Sequence, residues 1–237
     1  MERLITKIKA IDWDDIALNM NKKGYAIIPK LISEKQCKAL LNMYDEPMAY
    51  RKTVTMERYR FGLGEYKYFD YPLPEIIQTL REQIYPKLAP IANLWMKVLK
   101  IEKKFPDSLY ELQKQCHGAN QLKPTPLILK YGKGGYNTLH QDLYGEVYFP
   151  LQAVLFLNEP SVDFDGGEFV LMQQTPRAQS KAIVLQPKRG DMLIFTTNFR
   201  PVKGKKGYYR THMKHGVSEL HRGTRHTVGI IFHDAIS

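Results

Sequence analysis

Beyond Pro124 the chain breaks into short apolar or alternating runs: Leu127-Ile128-Leu129-Lys130-Tyr131, then residues 151–157, 168–172, 182–185, 192–196, 211–217 and 225–232. Gly, Pro and Asn-rich turns separate them, and no intervening stretch is long enough for the helical crossover that parallel neighbours require. About seven strands at this spacing predict an antiparallel sandwich or barrel. The texture before Pro124 differs. Asp12 opens a helical stretch through Asn21 that Gly24 stops, and Ser33 with Gln36 forms a capping box ahead of Cys37, Leu40, Leu41 and Tyr44. Helical periodicity resumes from Pro74 to Leu99 and from Ser108 to Cys116. Tyr25-Ala26-Ile27-Ile28-Pro29 is too short for a helix, and residues 59–72, YRFGLGEYKYFDYP, read as an aromatic loop packed on the barrel. The expected class is α+β, with residues 1–123 a helical support and residues 124–237 an all-β core.

Composition bounds the function. The 237 residues are 43% hydrophobic and 25% charged, which suits a globular protein with a real core. No apolar run approaches the ~20 residues of a membrane-spanning helix; the longest, residues 147–157, is broken by Pro150 and Gln152. The N-terminus, MERLITKIKAIDWDD, mixes acids among its bases, so no leader is read and a cytoplasmic protein is expected. Cys37 and Cys116, far apart and outside any CxxC, supply neither a disulfide framework nor a thiolate zinc site. A formal net charge of +11 admits a nucleic acid, an acidic protein or an anionic small molecule as partner. The densest basic segment, RPVKGKKGYYR from Arg200 to Arg210, is the candidate polyanion contact. It suits phosphates with Tyr208 or Tyr209 stacking a base, an acidic peptide, or plain solvent.

Six of the seven histidines lie from His140 onward. His140 and Asp142, two apart, project from one face of an extended chain, and His215 is the candidate third ligand from another strand. Two imidazoles and a carboxylate suit Fe(II) and leave coordination positions open for chemistry. Ten residues past His215, Arg225 and Thr227 share a strand face and form a receptor for a small carboxylate. His212, His221, His226, the lone His117 and the pair His233-Asp234 are read as non-ligands.

The ordered set Tyr131-Gly-Lys-Gly-Gly-Tyr-Asn-Thr-Leu-His140-Gln-Asp142, Asp165-Gly-Gly-Glu-Phe169, Pro187-Lys-Arg-Gly-Asp-Met-Leu-Ile-Phe195 and HGVSELHRGTRHT from His215 to Thr227 resembles the Fe(II)- and 2-oxoglutarate-dependent dioxygenases. The prolyl-4-hydroxylase-like branch is the nearest in pattern. The resemblance implies a double-stranded β-helix, a jelly-roll or cupin-like barrel, with the helical half packed on it. It also implies iron on His140, Asp142 and His215, and 2-oxoglutarate on Arg225 assisted by Tyr131 and Thr227. The cofactors would be Fe(II), 2-oxoglutarate and O2, with ascorbate an optional reductant. The GGE turn would be a structural corner.

The final segment also looks like small bacterial oxygenases catalogued as oxidative demethylases of damaged DNA. Nucleobase demethylases carry RxNxTxR after the distal His, and RHTVGII here lacks the second arginine. The expected reaction is therefore hydroxylation of an unactivated C–H on a peptidyl or free amino-acid side chain. Demethylation of alkylated bases in DNA or RNA is the alternative, and a non-catalytic ligand-binding barrel the second alternative.

Overall fold

The computed structural model describes residues 1–143 and 145–237. Its helices are α1 (Glu2–Lys9), α2 (Trp13–Lys23), α3 (Glu34–Asn42), α4 (Glu75–Val98) and α5 (Leu109–Gly118). The strands of the first part are β1 (Tyr25–Ile28), β2 (Tyr50–Thr55), β3 (Gly62–Leu63) and β4 (Glu65–Phe69). From β5 (Leu127–Tyr131) the chain continues through β6 (Tyr136–His140), β7 (Leu151–Phe156), β8 (Phe164–Gly166), β9 (Phe169–Gln174) and β10 (Lys181–Leu185). The last five are β11 (Met192–Thr196), β12 (Phe199–Gly204), β13 (Gly207–Val217), β14 (Leu220–Gly223) and β15 (Arg225–Ile230).

Local chemistry sets the helix ends. The Asp12 carboxylate accepts from the backbone N–H groups of Asp14 and Asp15 at 3.1 and 3.0 Å, satisfying donors that have no partner inside the helix. Gly24, left-handed at φ 81°, closes α2, and the Ser33–Gln36 capping box opens α3 as its spacing predicts.

A seven-stranded sheet runs in the order β1-β11-β7-β15-β5-β4-β2. Facing it, a second sheet runs β10-β9-β13-β6-β3, with β12 also paired to β13. The ladders within both are antiparallel among the described residues, as the short connections require. Helix α4 packs Ile77, Leu80, Ile84 and Leu88 into the same apolar cluster as Leu151, Ala153, Leu155, Met192, Ile194, Val228 and Ile230. The alternate residues Val154, Phe156, Leu193 and Phe195 join Phe169, Leu171 and Met213 of the second sheet. Strand β7 is therefore buried along its whole length, which is why it reads as an apolar run interrupted only by Gln152 instead of an alternating one.

The expectation for residues 1–123 needs correction: that segment is not wholly helical. β1 caps one edge of the seven-stranded sheet, β4 and β2 extend the other, and β3 joins the second sheet. The supposed aromatic loop contains both β3 and β4. Strands this short draw their stability from the edge they pair with, so their own residues carry little signal.

The C-terminus is clamped to α4. Arg81 and Asp234, both with fully buried side chains, pair at 3.0 Å. Arg81 also donates to the Phe232 carbonyl at 2.7 Å, and the Tyr71 hydroxyl donates to Asp234 at 2.9 Å. His117, on the last turn of α5 rather than in a loop, lies 3.3 Å from the same carboxylate. His233 accepts the Phe149 N–H at 3.2 Å. The His233-Asp234 pair is thus a structural latch. Among the described residues no helix is long and apolar enough to cross a membrane.

Burial, first among the causes, pushes the imidazoles of His226 and His233 down to about 4. In the unfolded chain each protonates near pH 6.5, roughly the ordinary histidine value. Between those limits the unfolded state takes up protons that the native state refuses. Stability is therefore complete above pH 6.5 and declines as pH falls toward 4, by about 1.4 kcal/mol per pH unit for each histidine. Urea midpoints measured at pH 7, 6 and 5 should fall progressively, and the decline should be shallower in His226→Gln.

Candidate active site

The two sheets divide the site between them. The second sheet supplies the histidines: His140 ends β6 and stands directly opposite His215 of β13. Asp142 is brought in from just beyond the strand. The expected shared strand face for His140 and Asp142 is corrected here, because β6 ends at His140. Gln141 makes the turn instead, donating its amide to the carbonyls of Asn198 and Met213, each at 2.9 Å. Asp142 then lies with one carboxylate oxygen 3.5 Å from His140 Nε2 and the other 3.3 Å from His215 Nε2. One ligand atom from each of the three lies within 4.8 Å of the other two.

The protonation of this cluster suits a divalent cation. His140 Nδ1 lies 2.7 Å from the Thr138 carbonyl, so Nδ1 donates there and Nε2, on the Asp142 side, is the nitrogen that would bind a cation once its own proton is released. Burial acts to raise the Asp142 carboxyl, but the His215 and His140 rings reverse the sign and hold it well below the usual range. His215 is pushed down by burial and by His140, with Asp142 offsetting part. His140 is also lowered by burial, yet the hydrogen bond to Asp142 prevails and the net shift is upward. An ionised carboxylate and converging Nε2 atoms form a hard, mixed N/O donor set of the kind Fe(II) takes.

The seven-stranded sheet supplies the other wall. Arg225 of β15 stands opposite Tyr131 of β5, and Thr227 opposite both Leu129 and Phe156. The Arg225 guanidinium is 2% exposed and lies 5.6 Å from the Tyr131 ring centroid and 5.4 Å from that of Phe156. Its Nε and one terminal nitrogen are buried without a hydrogen-bond partner. Burial pushes this side chain down to about 10, against the opposing effects of Tyr131 and Glu168. A cation enclosed by two rings with donors unmet is strongly disfavoured unless an anion joins it, so the arrangement suits an anion such as a carboxylate. Gly167 makes the room. At φ 61° it is left-handed, and a Cβ there would sit 2.1 Å from Leu220 and 3.1 Å from the Arg225 side chain. In the same turn Glu168 bonds Ser218 and does not face the histidines, so the GGE segment is a corner.

Tyr131, His140, Asp142, His215, Arg225 and Thr227 all line one cavity of about 260 Å³. The other histidines stay outside it: His212 is exposed beside Phe199, His221 is exposed, and His226 packs edge-on against Tyr44 at 5.2 Å. The segment from Arg200 to Arg210 is a hairpin of β12 and β13 rather than a loop. Arg200 is buried against Gln173 and the Asn21 carbonyl. Sequence reasoning missed Gln152. This buried β7 residue donates to Asp142 at 2.8 Å, while its own oxygen is buried without a partner. The signal was present: a lone amide in a strand otherwise apolar.

With this geometry in place, comparison with known proteins decides the family. A family model described as "Oxygenase, catalysing oxidative methylation of damaged DNA" matches residues 64–235. The chain belongs to this oxygenase family. Uncharacterised proteins of two Mycobacterium tuberculosis strains, CDC 1551 and H37Rv, are each 46% identical to the oxygenase over 167 residues, covering 70% of this chain and 72% of theirs. Among solved structures, a 2OG-Fe(II) oxygenase-family oxidoreductase from Burkholderia pseudomallei aligns with TM-score 0.54 at 12% identity, covering 95% of this chain and 93% of its own. A Pseudomonas putida prolyl-4-hydroxylase aligns with TM-score 0.51 at 14% identity, over 92% and 96% of the two chains. This oxygenase thus shares the jelly-roll fold of those two solved structures.

Removing the amide that steadies Asp142 should loosen metal binding. Gln152→Leu is expected to weaken Mn(II) affinity by about 10- to 100-fold, measured by anaerobic calorimetry, with the thermal midpoint of the metal-free protein little changed.

Proposed function

We propose that this oxygenase holds Fe(II) on His140, Asp142 and His215 and the far carboxylate of 2-oxoglutarate on Arg225 and Thr227, with Tyr131 beside them. We propose that it hydroxylates the N-methyl group of an alkylated nucleobase in DNA or RNA. The observation that carries the cofactor reading is Arg225, buried with unmet donors in the cavity that also holds the triad. Residues 124–237 act as the catalytic core and residues 1–123 as its support.

Fe(II) on His140, Asp142 and His215, with 2-oxoglutarate on Arg225 and Thr227, would supply the oxidising power for insertion of one oxygen atom of O2 into a substrate C–H bond. The chain's residues do the rest. Gln152 holds Asp142 in orientation. Thr138 holds His140 in its tautomer. Phe61, Tyr66, Tyr68, Leu129 and Ile231 line the remainder of the cavity, excluding water and offering flat apolar walls to a planar ring. A hydroxylated N-methyl group then leaves as formaldehyde.

The family description favours the nucleobase over the amino-acid side chain. Against it stands RHTVGII, where the second arginine of the nucleobase demethylases is absent. Hydroxylation of a peptidyl or free amino-acid side chain is therefore the second reading.

Anaerobic addition of Fe(II) and 2-oxoglutarate should produce a visible metal-to-ligand charge-transfer band. Asp142→Ala should abolish it and Arg225→Ala weaken it. No band from folded, metal-loaded wild type would overturn the cofactor reading. Formaldehyde release from N-methylated oligonucleotides, with no gain of one oxygen atom by candidate peptides in mass spectrometry, then separates the two substrates.

A further inference from the structure

We infer that Tyr59 and Phe61, flanked by Arg58 and Arg60, form a stacking platform for a single-stranded nucleic acid at the mouth of the cavity. The inference rests on the oxygenase reading and names the contact that would hold the substrate strand beside it.

The two rings lie with centroids 5.5 Å apart and planes 18° from parallel, yet 56% of Tyr59 and 45% of Phe61 is exposed. Aromatic side chains bury large apolar area when the fold allows it, so a paired, outward-facing stack is not a product of core formation. Nor is the segment slack. Phe61 N–H donates to the Met56 carbonyl at 3.1 Å, and Met56 N–H to the Gly64 carbonyl at 2.9 Å. Gly62, at φ 142°, lets β3 approach β6 so closely that a Cβ would lie 2.2 Å from the Tyr136 carbonyl oxygen. Arg60 is left-handed at φ 59°, a conformation uncommon outside glycine that turns the chain so that Phe61 stacks on Tyr59.

This rigid turn is wired to the metal cluster. Thr138 donates both its N–H and its hydroxyl to the Phe61 carbonyl, each at 2.9 Å. The Thr138 carbonyl in turn faces His140 Nδ1. Phe61 itself lines the cavity. Whatever stacks on the platform therefore lies next to the reacting centre.

Charge selects the occupant. Arg58 and Arg60 are exposed on either side of Tyr59, a combination of flat apolar faces and guanidinium groups that suits bases joined by phosphates. A single strand fits better than a duplex, because a base must leave its stack to reach an enclosed cavity. The hairpin tip at Lys205 and Lys206 is a poorer candidate. Gly207 lies eight residues before His215 along β13, roughly 25 Å away at the rise of a strand.

The test uses the full-length protein loaded with Mn(II) and 2-oxoglutarate, and a fluorescein-labelled twelve-nucleotide oligo-dT read by anisotropy. Wild type should bind, with affinity falling steeply as salt rises. Tyr59→Ala and Phe61→Ala should each weaken binding by about tenfold or more, and Tyr59→Trp should restore it. Arg58→Ala with Arg60→Ala should also flatten the salt dependence, whereas Lys205→Ala with Lys206→Ala should leave affinity within about twofold. The charge-transfer band with Fe(II) is recorded for every variant and shows independently whether the fold and cofactor site persist. No binding by band-positive wild type, or equal binding by the Tyr59 and Phe61 variants, would overturn the platform and leave the cofactor reading intact. Light scattering that shows a dimer lost in Phe61→Ala, without oligonucleotide binding, would also overturn it by assigning the face to a second copy of the chain.

Discussion

The site is organised around a single carboxylate. Asp142 is almost wholly enclosed, yet it stays ionised because two imidazoles and the Gln152 amide surround it. Without those partners the charge would be untenable at that depth. Each neighbour belongs to a different strand: His140 to β6, His215 to β13 and Gln152 to β7. The sheets must meet in one register for the carboxylate to be satisfied, and the register that satisfies it also directs the Nε2 atoms of both histidines toward Asp142.

The opposite wall poses the converse problem. Arg225 is a buried cation whose donors are only partly met, and the rings of Tyr131 and Phe156 attract it without replacing a carboxylate. The protein thus presents a completed anion for a cation and an incomplete cation for an anion, within one cavity. That asymmetry suits the two ligands of opposite sign proposed above. The apolar lining between them raises the strength of both interactions, and Gly167 keeps the corner open beside the guanidinium.

The elements carrying the chemistry were legible because their residues are unusual for where they sit. A histidine two residues from an aspartate, followed far along by His215, Arg225 and Thr227, forms an ordered pattern that core packing does not produce. All five of those residues, and Tyr131 with them, line one cavity. The strands at Leu127–Tyr131 and Met192–Thr196 were likewise readable from apolar runs bounded by turns. Less legible were β1 and β4, which pair with the distant β11 and β5, and the edge strand β2, which is held through β4. Gln141 was silent for a related reason: an amide acquires its role only from the acceptor it meets.

The amino-acid sequence by itself determined the class of architecture, the helix caps, the metal-ligand candidates and the candidate carboxylate receptor. Each of these depends on residue type and on spacing along one chain. Tertiary structure alone decided that Asp142 is reached by a turn rather than a shared strand face. It decided too that His233 and Asp234 form a latch against Arg81 and Phe149, and that Tyr59 and Phe61 stay exposed, with Phe61 lining the cavity alongside Tyr66 and Tyr68. Those outcomes follow from which surfaces meet across the fold, and burial, pairing and exposure are properties of two segments together, never of one.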